Sequence, residues 1–365
     1  MRWGTGIAIV AVALGAGPAL ASTPKSTTSR VVDRSPIVAV LDSGVRVTHQ
    51  EFDYRGPHAT GDQVVAWWDF TTVKKTKAVL PRQGQLWDPQ VAQPYDDIGH
   101  GTGVAAMAVG LNRSPTKTAS AAPGYRLAVA KVSGNVSATE NLGAAIRWAV
   151  HTVHASVINI SIGSVAPIPA AWPSPEELDA IDDAWRSGTL VVVANGNGWG
   201  NVGVLPGEPG WSMNYGMSTH VLTVGESDAT ANELDSTDPE ITAQGVVTTA
   251  SATGDRAYVY EGGTSFAAPF IAGLAARLIA AARDRGRRLR PDRLRTLLEY
   301  SAVDTAVPPQ FEGYGAVSLA QVPPAEAHAR AGTLPTRPNP DLSGWYVDNV
   351  TMRLRDIWSN KLRYP

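Results

Sequence analysis

A chain of 365 residues is long enough for one large α/β domain with appendages, and 44% hydrophobic with 18% charged residues marks it as a folding sequence, not a disordered one. A formal net charge of −2 excludes global steering toward nucleic acid or an anionic membrane. The absence of cysteine excludes disulfides, thiolate catalysis and cysteine-based metal sites.

In chain order, residues 1–21 read as a secretory signal: Arg2 supplies the positive start, Ile7 to Leu20 is an apolar run short of a comfortable bilayer span, and Ala19-Leu20-Ala21 fits a cleavage site. A retained membrane anchor is the alternative reading of that segment, and no other segment is apolar and long enough to span. Residues 22–35 form a short polar arm, and the main domain is expected over 36–305. Ile37 to Leu41 is a continuous apolar run of the kind a buried parallel strand shows. Thr71 to Gln93, polar and Pro-containing, reads as a surface insertion. Val104 to Val109 predicts a buried helix stopping at Gly110.

Leu127 to Val132 predicts the next strand. Ser137-Ala138-Thr139-Glu140 is a capping-box pattern opening a helix through Ile146, Trp148 and Val153, followed by a strand at Val157 to Ile160. A second capping box, Ser174-Pro175-Glu176-Glu177, has proline at the first helical position and opens a helix ending near Gly188. Strands follow at Thr189 to Ala194 and Val221 to Val224, then helices at Ser265 to Arg285 and Pro291 to Tyr300. Alternation of strands and helices predicts an α/β fold of three layers, a mainly parallel central sheet with helices on both faces. Residues 306–365 form a Pro-rich C-terminal extension whose last residues, from Gly344 on, could dock on a dedicated partner or substrate. The basic cluster from Arg283 to Arg295 surrounds Leu289, Leu294 and Leu297 and reads as a solvated helix face in preference to a polyanion site.

Three polar islands fall at strand ends or helix starts, the edge of a parallel sheet where ligands bind. Asp42-Ser43-Gly44 follows the first strand, and its carboxylate is placed to hold an imidazole. His100, framed by glycines in Asp96-Asp97-Ile98-Gly99-His100-Gly101-Thr102-Gly103, opens a helix. Ser265, in Gly263-Thr264-Ser265-Phe266-Ala267-Ala268-Pro269, starts another, where helix N–H groups favour a developing oxyanion. Taken singly, each also fits a turn or an N-cap. A fourth segment, Val191 to Gly198, ends a strand with Asn195 and Asn197 among glycines.

Together and in this order, the motifs resemble the subtilisin-like serine protease family over roughly Val32 to Asp304. The resemblance implies a secreted serine endopeptidase with Asp42, His100 and Ser265 as catalytic triad and Asn197 in the oxyanion hole. It also implies a substrate-binding segment at Ser161-Ile162-Gly163 and an opposite pocket wall at Ala194-Asn195-Gly196, with no cofactor for the catalytic steps. Structural calcium, common in the family, could lie along Asp228 to Asp238, though no recognisable loop pattern is present and no metal ligand is assigned. Gly103 replaces a second histidine often found there. Asn195, often alanine in the family, would favour a small or hydrogen-bonding P1 side chain. Only Ser22 to Ser35 precede the first core strand, too few for an independently folded pro-domain, so no extensive N-terminal processing is expected. The competing reading is a catalytically silent binding or scaffold protein on the same fold. Metal catalysis is disfavoured, because His151 and His154 have no acidic partner at zincin spacing.

Overall fold

The computed structural model describes residues 35–56, 59–72, 79–114, 120–134, 141–163, 173–197, 214–228, 239–305, 307 and 312–336. The expected signal, the arm up to Arg34, the capping box at Ser137 to Glu140, most of the Asp228 to Asp238 stretch and the end of the extension lie outside them.

Eight strands form the central sheet, each hydrogen-bonded pair parallel: β1 (Ile37–Asp42), β2 (Val64–Asp69), β3 (Arg126–Lys131), β4 (Val157–Ile160), β5 (Leu190–Ala194), β6 (Val221–Glu226), β7 (Ile241–Ala243) and a short edge strand, Ala316–Val317. Their spatial order is edge strand, β7, β6, β5, β4, β1, β3, β2. β1 is central and buried along its whole length, as a strand covered on both faces must be. Its alternate residues serve two cores. Val38 and Val40 face α1 (His100–Val109) and α4 (Thr264–Arg283), whereas Ile37, Ala39 and Leu41 face α2 (Leu142–His151) and α3 (Pro175–Ser187). The expected three-layer α/β fold is what the chain adopts.

The capping box expected at Ser174 is formed: its side chain accepts from the Glu177 N–H while the Glu177 carboxylate accepts from the Ser174 N–H, with Pro175 opening α3 and Gly188 closing it in a left-handed conformation. A two-stranded antiparallel ribbon, Val247–Ala250 with Tyr258–Glu261, leads into α4.

Two segments differ from their sequence reading. The Thr71 to Gln93 stretch is not simply a surface insertion: Trp67 N–H donates to Leu86 O at 2.9 Å, Asp88 N–H donates to Trp67 O at 3.1 Å, and Trp148 Nε1 donates to Gln85 O at 2.8 Å. This polar stretch covers the exposed edge of β2, where unpaired backbone groups need partners. Residues 316–331 belong with the domain and not with a separate tail. Ala316–Val317 extends the sheet beside β7, and the helix Val322–Ala331 packs on α4 through Val322, Ala325 and Ala329. Arg277 fastens it with an ion pair to Glu326 at 2.8 Å.

Candidate active site

Parallel register carries three segments to one sheet edge. Asp42 ends β1; Leu41 pairs with Ile160 of β4, and Ile160 with Val193 of β5. Ser161-Ile162-Gly163 and Ala194-Asn195-Gly196 therefore leave the sheet side by side, next to Asp42.

α1 delivers the imidazole to this edge. Gly101, the second residue of the helix, lies so close to the β1 turn that a Cβ there would sit 2.3 Å from Gly44 O and 3.1 Å from Asp42 Oδ1. Only glycine permits that approach. It leaves His100 Nδ1 2.8 Å from Asp42 Oδ1, an oxygen that also accepts from the Ser43 N–H at 2.7 Å. The carboxylate is fully buried and the imidazole partly exposed. Burial disfavours the imidazolium, but the charge and hydrogen bond of Asp42, reinforced by Asp96 and Glu261, outweigh it and raise the His100 pKa above its ordinary value.

Asp96, quoted in the sequence motif but assigned no role there, organises the approach. Its Oδ1 accepts from Ser43 Oγ at 2.8 Å and from the Gly99 N–H at 2.8 Å, while its Oδ2 accepts from Thr102 N–H and Oγ1 at 2.8 and 2.6 Å. One carboxylate thus ties the β1 turn to both sides of His100. Lys131 is the second residue that sequence reading missed. It is wholly buried in β3 in register with Asp42, and its ammonium donates to Ser43 O at 2.7 Å, Ser133 O at 2.9 Å and the Asp97 carboxylate. Its signal in sequence was a lysine inside the otherwise apolar run Leu127 to Val132.

Ser265 is the second residue of α4, whose first-turn N–H groups lack intrahelical acceptors. Its hydroxyl donates to Ser161 O at 3.0 Å, and the ring of its neighbour Phe266 lies 5.4 Å from the His100 ring centroid. The hydroxyl is thus turned toward the expected substrate segment and not toward His100. Hydrogen bonds of this kind are often loose before substrate binds. Asn197 is brought to the same helix start. Its Oδ1 accepts from Thr264 N–H at 2.8 Å and Thr264 Oγ1 at 3.0 Å, which fixes the amide and leaves Nδ2 as its donor end. Thr264 Oγ1 in turn accepts from the Gly196 N–H at 3.1 Å. Gly263 stands at φ +127, and a Cβ on it would lie 2.6 Å from Asn197 Nδ2. The Gly-Thr pair before Ser265 therefore holds Asn197 in place, a role not legible from the motif.

Two departures noted in the sequence acquire physical reasons. A Cβ at Gly103 would meet Thr249 Cγ2 at 2.8 Å and Phe266 Cε1 at 3.1 Å, so neighbouring side chains occupy the space a histidine would need. Asn195 is fully buried, which leaves its amide no solvent-open face for a P1 side chain. His151 and His154 stay apart from this edge, at the opposite end of α2, and His151 pairs with Asp183 at 2.5 Å. Asp228 accepts from the Gly245 and Val246 N–H groups at 2.7 and 3.1 Å, and among the described residues no cluster of three metal-ligating side chains occurs.

A family model described as the subtilase family matches residues 33–316. The chain is similar to a thermophilic serine proteinase of Bacillus sp. (strain AK1), 30% identical over 68% of this chain and 53% of that protein. It is also similar to a cuticle-degrading serine protease of Arthrobotrys oligospora, 27% identical over 67% of this chain and 51% of that protein. The chain thus spans about half the length of these curated relatives. Among solved structures, the prenylagaramide maturation protease PagA aligns with a TM-score of 0.58 at 22% identity, over 82% of this chain and 96% of that one.

Proposed function

Because this chain belongs to the subtilase family, we propose that it is a serine endopeptidase that cleaves protein or peptide substrates through Asp42, His100 and Ser265. The observation that carries the reading is the hydrogen bond from His100 Nδ1 to the buried Asp42 carboxylate, at the sheet edge where Ser265 opens a helix. With Nδ1–H donating to Asp42, Nε2 is left as the proton acceptor. Ser265 Oγ adds to the substrate carbonyl carbon as Nε2 takes its proton. The C–N bond then breaks as Nε2 returns that proton to the departing amine, leaving an acyl-enzyme that water hydrolyses by the same exchange. Asn197 Nδ2 and the Ser265 N–H would hold the negative oxygen. The substrate would lie extended along Ser161-Ile162-Gly163, with Ala194, Asn195 and Gly196 lining the other side through their backbone. No step calls for a cofactor. Residues 1–21 would direct export, giving a secreted or otherwise extracytoplasmic enzyme; α4, though long and apolar enough to cross a membrane, is buried as a core helix, and the C-terminal extension would engage a dedicated partner or substrate.

Labelling tests the reading directly. A fluorophosphonate should modify the wild-type chain and fail on Ser265→Ala. An unlabelled but folded wild type would instead favour the catalytically silent scaffold. Two quantitative outcomes follow. Asn197→Leu should lower kcat by about 10²–10³ with KM little changed, because the lost donor acts only once charge develops. That range is known from a subtilisin and is carried over as a family expectation. In a pH–rate profile, the base works as neutral imidazole, so activity falls as pH drops through the His100 pKa. With that pKa raised, the acid limb should lie above the ordinary imidazole value of about 6.5 and move downward in the residual activity of Asp42→Asn. A limb below that value in the wild type would contradict the electrostatics.

A further inference from the structure

The sheet edge opposite Asp42 holds a second concave site. A cavity of about 520 Å³ opens there, where β4 and β5 begin and α2, α3 and α4 end. Its lining includes Arg283, Arg287, Arg288, His151 and His154 and, among the described residues, no carboxylate. Val150, Ile279 and Leu289 add an apolar part to that lining.

Cations near helix C-termini have a structural explanation, since each C-terminus carries about −0.5 charge. Three such ends meet the cavity, which offsets only about half of three guanidiniums. Among the described residues, no carboxylate pairs with Arg283, Arg287 or Arg288 to take up the remaining positive charge. The arginines are nonetheless held in place. Arg283 Nη2 donates to Ser156 Oγ at 3.2 Å, and Arg287 Nε donates to Arg330 O at 3.1 Å. Arg288 folds over Gly188, where a Cβ would come within 2.9 Å of its Nη2. Burial and the neighbouring Arg288 charge lower the pKa of Arg283, the cost expected where guanidiniums are gathered without an anion. Planar forks with several free N–H groups match the oxygens of phosphate or sulfate, and the volume is that of a small-molecule site.

We propose that this pocket binds a multiply charged oxyanion, an oligophosphate or oligosulfate group, seated between Arg283, Arg287 and Arg288. The site is remote from Ser265 and stands whether or not the peptidase reading does.

Isothermal titration of the full chain with sodium tripolyphosphate and, separately, sucrose octasulfate tests it. At least one probe should bind saturably with one site per chain, and the tighter of the two identifies phosphate or sulfate as the fitting group. Arg283→Gln and Arg288→Gln should each weaken binding tenfold or more, while Arg290→Gln, a basic residue of the same surface outside the cavity, should leave it unchanged. Thermal melts of the variants check that they remain folded. Absence of saturable binding with both probes would overturn the proposal. So would equal weakening in Arg288→Gln and Arg290→Gln, which would mean diffuse attraction to a basic surface.

Discussion

Ser265→Ala should lower kcat by about 10⁶-fold, and His100→Ala by a similar factor, with the double variant no worse than either. That magnitude is known from a subtilisin and is carried over as a family expectation. The non-additivity is the sharper part of the prediction. On the proposed mechanism Ser265 is activated through His100, whose Nδ1 lies 2.8 Å from Asp42 Oδ1. Once one member is gone, the others have nothing left to transfer. What activity survives should come from Asn197 and the α4 N-terminus, which stabilise charge without the triad. Single-turnover hydrolysis of a peptide ester by all three variants measures this. Independent, multiplying losses in the double variant would mean that the two residues do not act as a unit.

Lys131→Met should cost about 3–5 kcal/mol of folding stability, read from the urea midpoint at unchanged slope. Such a loss is a large part of the 5–15 kcal/mol typical of a domain. The ammonium is wholly buried and satisfies two backbone carbonyls, those of Ser43 and Ser133, besides the Asp97 carboxylate. Methionine fills the volume but leaves both carbonyls without that donor. Asp97 is partly exposed and can turn to water, which sets the expected value toward the lower end of the range. Because the Ser43 carbonyl belongs to the turn that carries Asp42, kcat should fall together with stability. A midpoint within error of wild type would show that the buried charge contributes no net stability.

Much of the site was legible in sequence because the chemistry required rare local combinations. A carboxylate ending an apolar run, a histidine between glycines and a serine after Gly-Thr each stand out from their surroundings. β1, β4 and β5 were legible for a related reason: strands buried on both faces read as runs of Val, Ile, Leu and Ala, broken here only by Asn159 in β4 and by Asp42 at the end of β1. What escaped was whatever depends on pairing between distant segments. β2 carries Trp67, Trp68 and Asp69, a mixture without a clean period, and its partner across the open edge is a polar stretch that looked like a loop. The edge strand Ala316–Val317 is too short to have a period at all. Asn195 is fully buried, and sequence spacing carries no information on burial at such a turn. The clasp of Thr264 on Asn197 joins positions 67 apart, so neither motif alone could announce it.

The hydroxyl of Ser265 rests on the carbonyl of Ser161, in the very segment expected to receive a peptide backbone. An incoming chain that lays its own N–H groups along that strand end competes for the same oxygen. On the proposed mechanism loading and arming would be one event: a peptide N–H that takes the Ser161 carbonyl would release the Ser265 hydroxyl toward the imidazole. Extended peptides should gain in turnover over small activated esters by more than their added contacts explain, and an unoccupied enzyme should squander few encounters on stray electrophiles.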